Sequence, residues 1–223
     1  MGRHQVFSHR ALHGHPGTRI TSSTTRRTLL RVENLSKYGG LALDFDVIVI
    51  NGTALRAMLR EHSCIMCEEA FPKMLNSGFF GCKRGARFAE LMLAKYHTDF
   101  RPFEWVYNSG HMAYNFWQED HALVHVVPEV CSYPVGYKEH ERDVYLHRRG
   151  YYHWMEKLAI HTYLHGRDFG EEQALKMNSS FGDMVRWVMK GAPVFPPLKR
   201  DARDKWRPSD KKLLPELDDG AYF

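Results

Sequence analysis

The feature that most constrains the fold is a nearly continuous apolar stretch over residues 38–50, YGGLALDFDVIVI. Aliphatic and β-branched side chains dominate it, with Gly39-Gly40 near its start and Asn51-Gly52 directly after it. Such a run is typical of a strand that is buried on both faces of a largely parallel sheet. Strand-like and helical patterns alternate along the chain, which predicts an α/β fold.

Two carboxylates interrupt this apolar stretch, Asp44 and Asp46, with Phe45 between them. Alternate side chains of a strand share a face, so the spacing predicts that both carboxylates point the same way. Burying them is costly unless a partner compensates their charge. Paired oxygen ligands near a strand end suit Mg²⁺ or Mn²⁺, with a substrate diphosphate completing the coordination. The alternative is a pair of exposed aspartates at a strand end.

Composition and charge narrow the classes of protein that need to be considered. The 223 residues are 43% hydrophobic and 26% charged, which is ordinary for a globular domain with a core. The net charge of +5 favours anionic ligands and is not concentrated enough to indicate a nucleic-acid binder. No apolar run reaches the roughly 18–20 residues of a membrane helix. The first part of the chain also lacks the apolar core of a signal peptide.

The chain is predicted to divide into three segments. Residues 1–25 contain no acidic residue and are predicted to form a disordered basic leader, with a transit peptide or the stub of a longer protein as the alternatives. Residues 26–191 carry the folded domain, and residues 192–223 form an extended tail that is rich in proline and charge. Within the domain, the patterns predict helices over 26–37, 53–61, 85–97, 105–117 and 180–191, and strands over 41–50, 63–69, 75–82, 123–127 and 157–163.

The four cysteines leave several interpretations open. Cys64 and Cys67 have the CxxC spacing of a redox pair or of half a zinc site. No second CxxC and no paired histidines follow at zinc-finger distance, and the segment is apolar, so buried strand cysteines are the favoured interpretation. Disulfide bonds among these two residues, Cys82 and Cys131 stay open.

Several ordered blocks resemble the glycosyltransferases with a DXD-containing sugar-binding region. That family includes yeast initiating mannosyltransferases and animal Golgi α-galactosyl- and α-N-acetylglucosaminyl-transferases. The block RVENLSKYGGLALDFDVIVI reproduces the family spacing from an arginine to the second aspartate without a gap. The blocks LNSGFFGCKRGARFAELMLAKY, KLAIHTY and MNSSFGDMVRWV are similar to its later strands and helices. The resemblance covers about residues 27–191.

The resemblance implies a GT-A-like fold, which is a Rossmann-like, mostly parallel sheet flanked by helices. It implies that a hexose or N-acetylhexosamine moves, with retention, from a UDP- or GDP-sugar to a glycan or glycolipid acceptor in the Golgi. The implied cofactor is Mn²⁺ or Mg²⁺. Asp44 and Asp46 match the metal- and diphosphate-binding pair, Arg31 and Asn76 match residues near the donor, and His161 matches a late histidine that completes the metal site.

Two departures from the family pattern have consequences. Thr28 stands where the family has an acid, so Arg31 is expected to lack a partner carboxylate. Only one helix is predicted before Asp44, so the nucleotide-binding strands of a GT-A fold and the Golgi anchor are expected to be missing from this chain. The alternative function is therefore a truncated, non-catalytic glycosyltransferase-like protein. A zinc or redox module on the CxxC pair and a nucleic-acid binder that uses the basic ends are further alternatives.

Overall fold

The computed structural model describes residues 23–69, 73–101, 103–104, 106–131, 145–149, 154–164 and 169–191. These residues divide into two compact units. The first unit lies within residues 1–45 and 53–132, and the second within residues 46–52 and 133–223. Both units mix helices with strands, so the predicted α/β class is confirmed at this level. Most of the predicted leader and all of the predicted tail from residue 192 lie outside the described residues.

Most of the predicted helices and strands are present, with the predicted strand over residues 41–50 as the exception. The helices are α1 (Ser23–Tyr38), α2 (Gly52–Glu61), α3 (Arg87–Thr98), α4 (Met112–Glu119), α5 (Pro128–Cys131), α6 (Glu171–Lys176) and α7 (Ser180–Lys190). The strands are β1 (Gly40–Leu43), β2 (Val47–Val49), β3 (Cys64–Glu69), β4 (Met74–Cys82), β5 (His125–Val126) and β6 (Ala159–His161). Among the described residues, no helix is long and apolar enough to span a membrane.

The sheet of the first unit is mixed rather than mostly parallel, which corrects the prediction. Its strands lie in the order β1-β4-β3-β5. β4 pairs antiparallel with both β1 and β3, and only the β3–β5 pair is parallel. The reason is the length of the connection, because residues 70–73 are too few for the crossover that parallel neighbours require. In the second unit, β2 and β6 also pair antiparallel.

The apolar stretch over residues 41–50 is not one strand, so this prediction is also wrong. It forms β1 and β2, which belong to different sheets and are separated at residues 44–46. Phe45 lies in the turn and is fully exposed. A turn keeps the carboxylates of Asp44 and Asp46 out of a doubly buried strand, where they would lose their hydration. Because period-two alternation does not continue through a turn, the two aspartates do not share one strand face.

The core of the first unit forms where α1 and α3 pack together, with α1 also against β4. Apolar side chains at helical spacing fill it: Leu29, Val32 and Leu35 from α1, and Phe88, Met92 and Tyr96 from α3. Each such side chain stabilises the fold by about 1.5–3 kcal/mol when it is fully buried. Packing of this kind confirms the helices that were predicted from the same spacing.

The core of the second unit is built around β6 and α7. Ile160 of β6 and Phe181 and Met184 of α7 are buried in one apolar cluster. α7 begins after Ser179, whose hydroxyl accepts the backbone N–H of Gly182 at 3.2 Å, and its last turn is closed by Gly191 in the left-handed region. The predicted helix over 180–191 is therefore confirmed, and Gly191 is its C-terminal cap.

All four cysteines form disulfide bonds, Cys64 with Cys82 and Cys67 with Cys131. The first bond joins residues that lie opposite each other in β3 and β4, and the second joins β3 to α5. The sulfur atoms are buried, as the favoured interpretation held, but they are paired. A zinc site or a redox pair would require Cys64 and Cys67 as thiolates or as partners of each other. The structure therefore contradicts the zinc and redox alternatives.

We predict that the native protein has no reactive thiol. Replacing both Cys67 and Cys131 with serine is expected to lower the free energy of unfolding by about 2–4 kcal/mol, because that bond closes a long loop in the unfolded chain. The pair Cys64→Ser and Cys82→Ser is the comparison and is expected to cost less, since its sequence separation is 18 rather than 64 residues. Chemical denaturation measures both. A disulfide between Cys64 and Cys67 in a non-reducing peptide map would contradict the assignment.

Candidate functional site

The polar site of the first unit is built on an irregularity in the sheet. The pairing register shifts between Met66 and Cys67 of β3, so that β3 skips residues 77–79 of β4. Such a bulge turns side chains and main-chain groups out of the regular ladder, and bulges are common beside active sites. The predicted strand over residues 75–82 therefore contains a bulge.

Arg31 of α1 and Asp44 form an ion pair at this bulge. The Arg31 guanidinium also donates to the carbonyl of Ser77 at 3.1 Å, and the Asp44 backbone N–H donates to the carbonyl of Gly78 at 2.8 Å. The side chains remain 17% and 35% exposed. The expectation that Arg31 lacks a partner acid is therefore wrong. The left-handed turn at Gly39 reverses the chain from α1 into β1. Asp44, which follows β1, is the carboxylate that pairs with Arg31.

Thr28, which stands where the family pattern has an acid, has a different role. Its side chain is buried and hydrogen-bonds with the hydroxyl of Tyr96, which itself donates to the carbonyl of Asn108 at 2.6 Å. Burial raises the pKa of Tyr96, so the hydroxyl stays neutral. A neutral hydroxyl at position 28 suits this buried contact, whereas a carboxylate there would be desolvated.

Asn76 and Glu69 approach each other on adjacent strands of the same sheet. Nδ2 of Asn76 donates to Oε1 of Glu69, and Oδ1 of Asn76 accepts the backbone N–H of Gly78 at 2.6 Å. Glu69 is only 6% exposed. The sequence did not single out Glu69 as a site residue, because its contact with Asn76 depends on the bulge and no periodic pattern indicates it.

Two side-chain oxygens converge over Gly78. A Cβ atom at this position would lie 2.5 Å from Oδ2 of Asp44 and 2.8 Å from Oδ1 of Asn76. Only glycine leaves room for both oxygens. Two acceptor oxygens above the backbone of a glycine can accept hydrogen bonds from hydroxyl groups or contribute to a cation site.

Asp46 and His161 form the polar pair of the second unit. Nε2 of His161 lies 3.2 Å from Oδ1 of Asp46. Strand pairing places Val47 opposite His161, and the Asp46 carbonyl accepts both the backbone N–H and the hydroxyl of Thr162 at 2.8 Å. The imidazole is 6% exposed and stacks on the ring of Tyr163 with centroids 3.9 Å apart. Backbone and stacking contacts therefore fix both partners.

The distance between Asp46 and His161 is compatible with two kinds of bonding. It is at the long end of the range for an N–H···O hydrogen bond. It is also close to the roughly 3 Å that separates adjacent ligand atoms when each lies about 2.1 Å from an octahedral divalent cation. Imidazole nitrogen and carboxylate oxygen are both ligands that Mn²⁺ accepts. The residues present therefore fit a divalent metal ion.

A polar network orders the segment between α3 and α4. The Tyr107 hydroxyl donates to Asp99 at 2.5 Å, and Lys95 lies 3.1 Å from the same carboxylate. These contacts lower the pKa of Asp99 to about 2, with the Tyr107 hydrogen bond as the largest cause. The guanidinium of Arg101 covers the Tyr107 ring at 3.5 Å. Within the predicted helix over residues 105–117, Tyr107–His111 forms one π-helical turn, so Arg101 covers a face of a side chain on that turn.

Each unit, taken by itself, brings predicted site residues together. Arg31, Asp44 and Asn76 lie together at the bulge of the first unit. Asp46 and His161 lie together in the second unit. One residue, Phe45, separates the two aspartates in the sequence.

Comparisons with protein-family models, curated proteins and solved structures found no match to this chain. The resemblance to DXD-containing glycosyltransferases therefore stays a prediction from the ordered sequence blocks.

We predict that Gly78→Ala lowers the free energy of unfolding by about 1–3 kcal/mol, because its Cβ would displace the Asp44 carboxylate from Arg31. Gly170→Ala is the matched control, since no atom lies within 4 Å of its Cβ position and its φ is −64°. That control is expected to change the stability by no more than about 0.5 kcal/mol. Chemical denaturation followed by tryptophan fluorescence measures both variants. A Gly78→Ala protein as stable as the wild type would contradict the convergence of the two oxygens.

Proposed function

We propose that the protein is a metal-dependent glycosyltransferase. It moves a hexose or N-acetylhexosamine from a nucleotide sugar to a glycan or glycolipid acceptor, with retention of configuration, on a GT-A-like fold. The observation that carries the proposal is the Asp46–His161 pair. Nε2 of the buried His161 imidazole lies 3.2 Å from Oδ1 of Asp46, the second aspartate of the DXD motif. The family resemblance supplies the reaction, and the geometry supplies a pair of groups that suits it.

Asp46 and His161 are the residues that would hold Mn²⁺ or Mg²⁺. When bound, such an ion would neutralise charge on the departing nucleoside diphosphate as a Lewis acid. The chain contributes rigidity, because the β2–β6 pairing and the Thr162 hydrogen bonds hold the backbone of both residues in place without help from the metal. Preorganised ligands lose less conformational entropy when the ion binds.

Arg31, Asp44 and Asn76 would bind the donor. The Arg31 guanidinium has five N–H donors, so contacts to Asp44 and Ser77 leave it further capacity for a phosphate oxygen. Oδ2 of Asp44 and Oδ1 of Asn76 would accept hydrogen bonds from sugar hydroxyls over Gly78. The role of Asp44 as a further metal ligand rests on the resemblance.

The two disulfide bonds favour the proposed compartment. Disulfides persist in the oxidising lumen of the secretory pathway and are rare in the cytosol. The pairs Cys64–Cys82 and Cys67–Cys131 are therefore consistent with a protein that acts in the Golgi lumen, where the resembling enzymes act.

A second candidate function is a non-catalytic glycosyltransferase-like protein that binds donors weakly. The observation that favours it is the ion pair between Arg31 and Asp44, which occupies one carboxylate of the motif. In such a protein the Asp46–His161 pair would bind a metal ion without assembling a reactive donor complex.

We predict that Mn²⁺ together with UDP or GDP stabilises the wild-type protein and that Asp46→Asn removes most of this effect. Ligand at about 100 times its Kd stabilises by about 2.7 kcal/mol, which corresponds to a rise in Tm of several degrees for a chain of this size. Asp120→Asn is the matched control, because Asp120 is exposed and accepts the backbone N–H of Ala122, which asparagine can also accept. Thermal unfolding with and without each ligand measures the shifts.

The two candidate functions differ in the fate of the donor. With UDP-galactose, UDP-glucose, UDP-N-acetylglucosamine and GDP-mannose as probes, an enzyme is expected to release free sugar from at least one donor in the presence of Mn²⁺. Binding without release would favour the non-catalytic protein. If Mn²⁺ raised the Tm of Asp46→Asn as much as that of Asp120→Asn, the metal site would be contradicted under both candidate functions.

A further inference from the structure

We propose that Glu69 is a positioning residue for the Asn76 amide and thereby sets which hydroxyl pattern of the transferred sugar the protein accepts. This inference rests on the proposed function and deepens it. Neither the sequence pattern nor the family resemblance assigned a role to Glu69.

The hydrogen bonds of Asn76 leave its amide one orientation. An ionised carboxylate can only accept hydrogen bonds, so Glu69 requires Nδ2 of Asn76 to face it. The backbone N–H of Gly78 can only donate, so it requires Oδ1 on the other side, where the distance is 2.6 Å. The two requirements agree, and a flipped amide would violate both.

Burial strengthens the constraint. Glu69 is almost fully buried, whereas Asn76 is half-buried and its neighbour Glu68 is likewise half-buried. A hydrogen bond to a charged acceptor is roughly twice as strong as one between neutral groups, and a low local dielectric strengthens it further. Glu69 therefore acts from inside the protein on a side chain that is partly exposed.

The fixed amide determines the chemistry that the site offers. Oδ1 of Asn76 and Oδ2 of Asp44 both lie over Gly78, so these two side chains present acceptor oxygens at this point. Acceptors select a ligand that places hydroxyl groups there. A site built to hydrogen-bond a hydroxyl discriminates strongly against a ligand that lacks it in that position. The sugar class is therefore one with a hydroxyl directed at this oxygen pair, and an epimer at that carbon is disfavoured.

A reciprocal exchange of the two side chains tests the inference. Asn76→Asp alone places a carboxylate against the Glu69 carboxylate and is expected to reduce kcat/KM on the order of 100-fold. Adding Glu69→Gln restores the hydrogen bond with its direction reversed, because the glutamine amide donates to the new carboxylate. The other oxygen of that carboxylate still faces the backbone N–H of Gly78. The double variant is expected to recover at least about tenfold over Asn76→Asp.

Glu69→Gln alone keeps the shape of the side chain and removes its charge. Its kcat/KM for the preferred donor is expected to fall about fivefold. The ratio of the kcat/KM values for UDP-galactose and UDP-glucose, which differ at one hydroxyl, is expected to move closer to one. The affinity for Mn²⁺ with UDP, which carries no sugar, is expected to stay within about twofold of the wild type. Glu68→Gln is the matched control and is expected to leave the preference between the donors unchanged.

The outcomes separate the inference from the proposed function. A wild-type protein that shows no Mn²⁺-dependent binding of any nucleotide overturns the proposed function, and the inference with it, before a Glu69 variant is made. A wild-type protein that turns over both donors equally overturns the inference alone. So does a Glu69→Gln variant with an unchanged donor preference, or a double variant no better than Asn76→Asp. A purely structural role would lower Tm and slow both donors equally.

Discussion

Two carboxylates in an apolar stretch need compensating partners, and the described structure is arranged around that constraint. Asp44 is compensated by Arg31 at the end of β1, and Asp46 by His161 at the start of β2. Between them the chain turns, leaves one sheet and enters another. The exposed Phe45 marks the turn. Each unit therefore carries one half of the motif, with its own partner and its own supporting hydrogen bonds.

The supports of the two halves differ in kind. In the first unit, a bulge in β4 supplies carbonyls to Arg31 and Asp44 and leaves room for their contact only because residue 78 is glycine. In the second unit, regular antiparallel pairing and the Thr162 hydrogen bonds hold the imidazole beside the carboxylate. Bulges are common beside active sites, and a rigid pair of side chains suits a metal ion.

Sequence reasoning succeeded where local pattern and packing agree. The spacing of Phe181 and Met184 and the glycine at 191 together define α7, because a helix needs both an apolar face and an end. It failed for residues 41–50, where a continuous apolar run concealed a turn whose cause is the cost of burying charge. The mixed sheet follows from a short connection between strands, whereas the Arg31–Asp44 pair and the hydrogen bond between Asn76 and Glu69 depend on strand register. One skipped segment in β4 creates these contacts, and no periodicity in the sequence reports it.

The central claim is that the Asp46–His161 pair binds a divalent metal ion for a nucleotide sugar. The most direct measurement is anomalous X-ray scattering at the manganese edge from crystals of the full chain grown with Mn²⁺ and UDP. The account predicts a peak bonded to the Asp46 carboxylate and to Nε2 of His161. A manganese peak that contacts neither residue, or no peak at a Mn²⁺ concentration that saturates the stability shift, would contradict it.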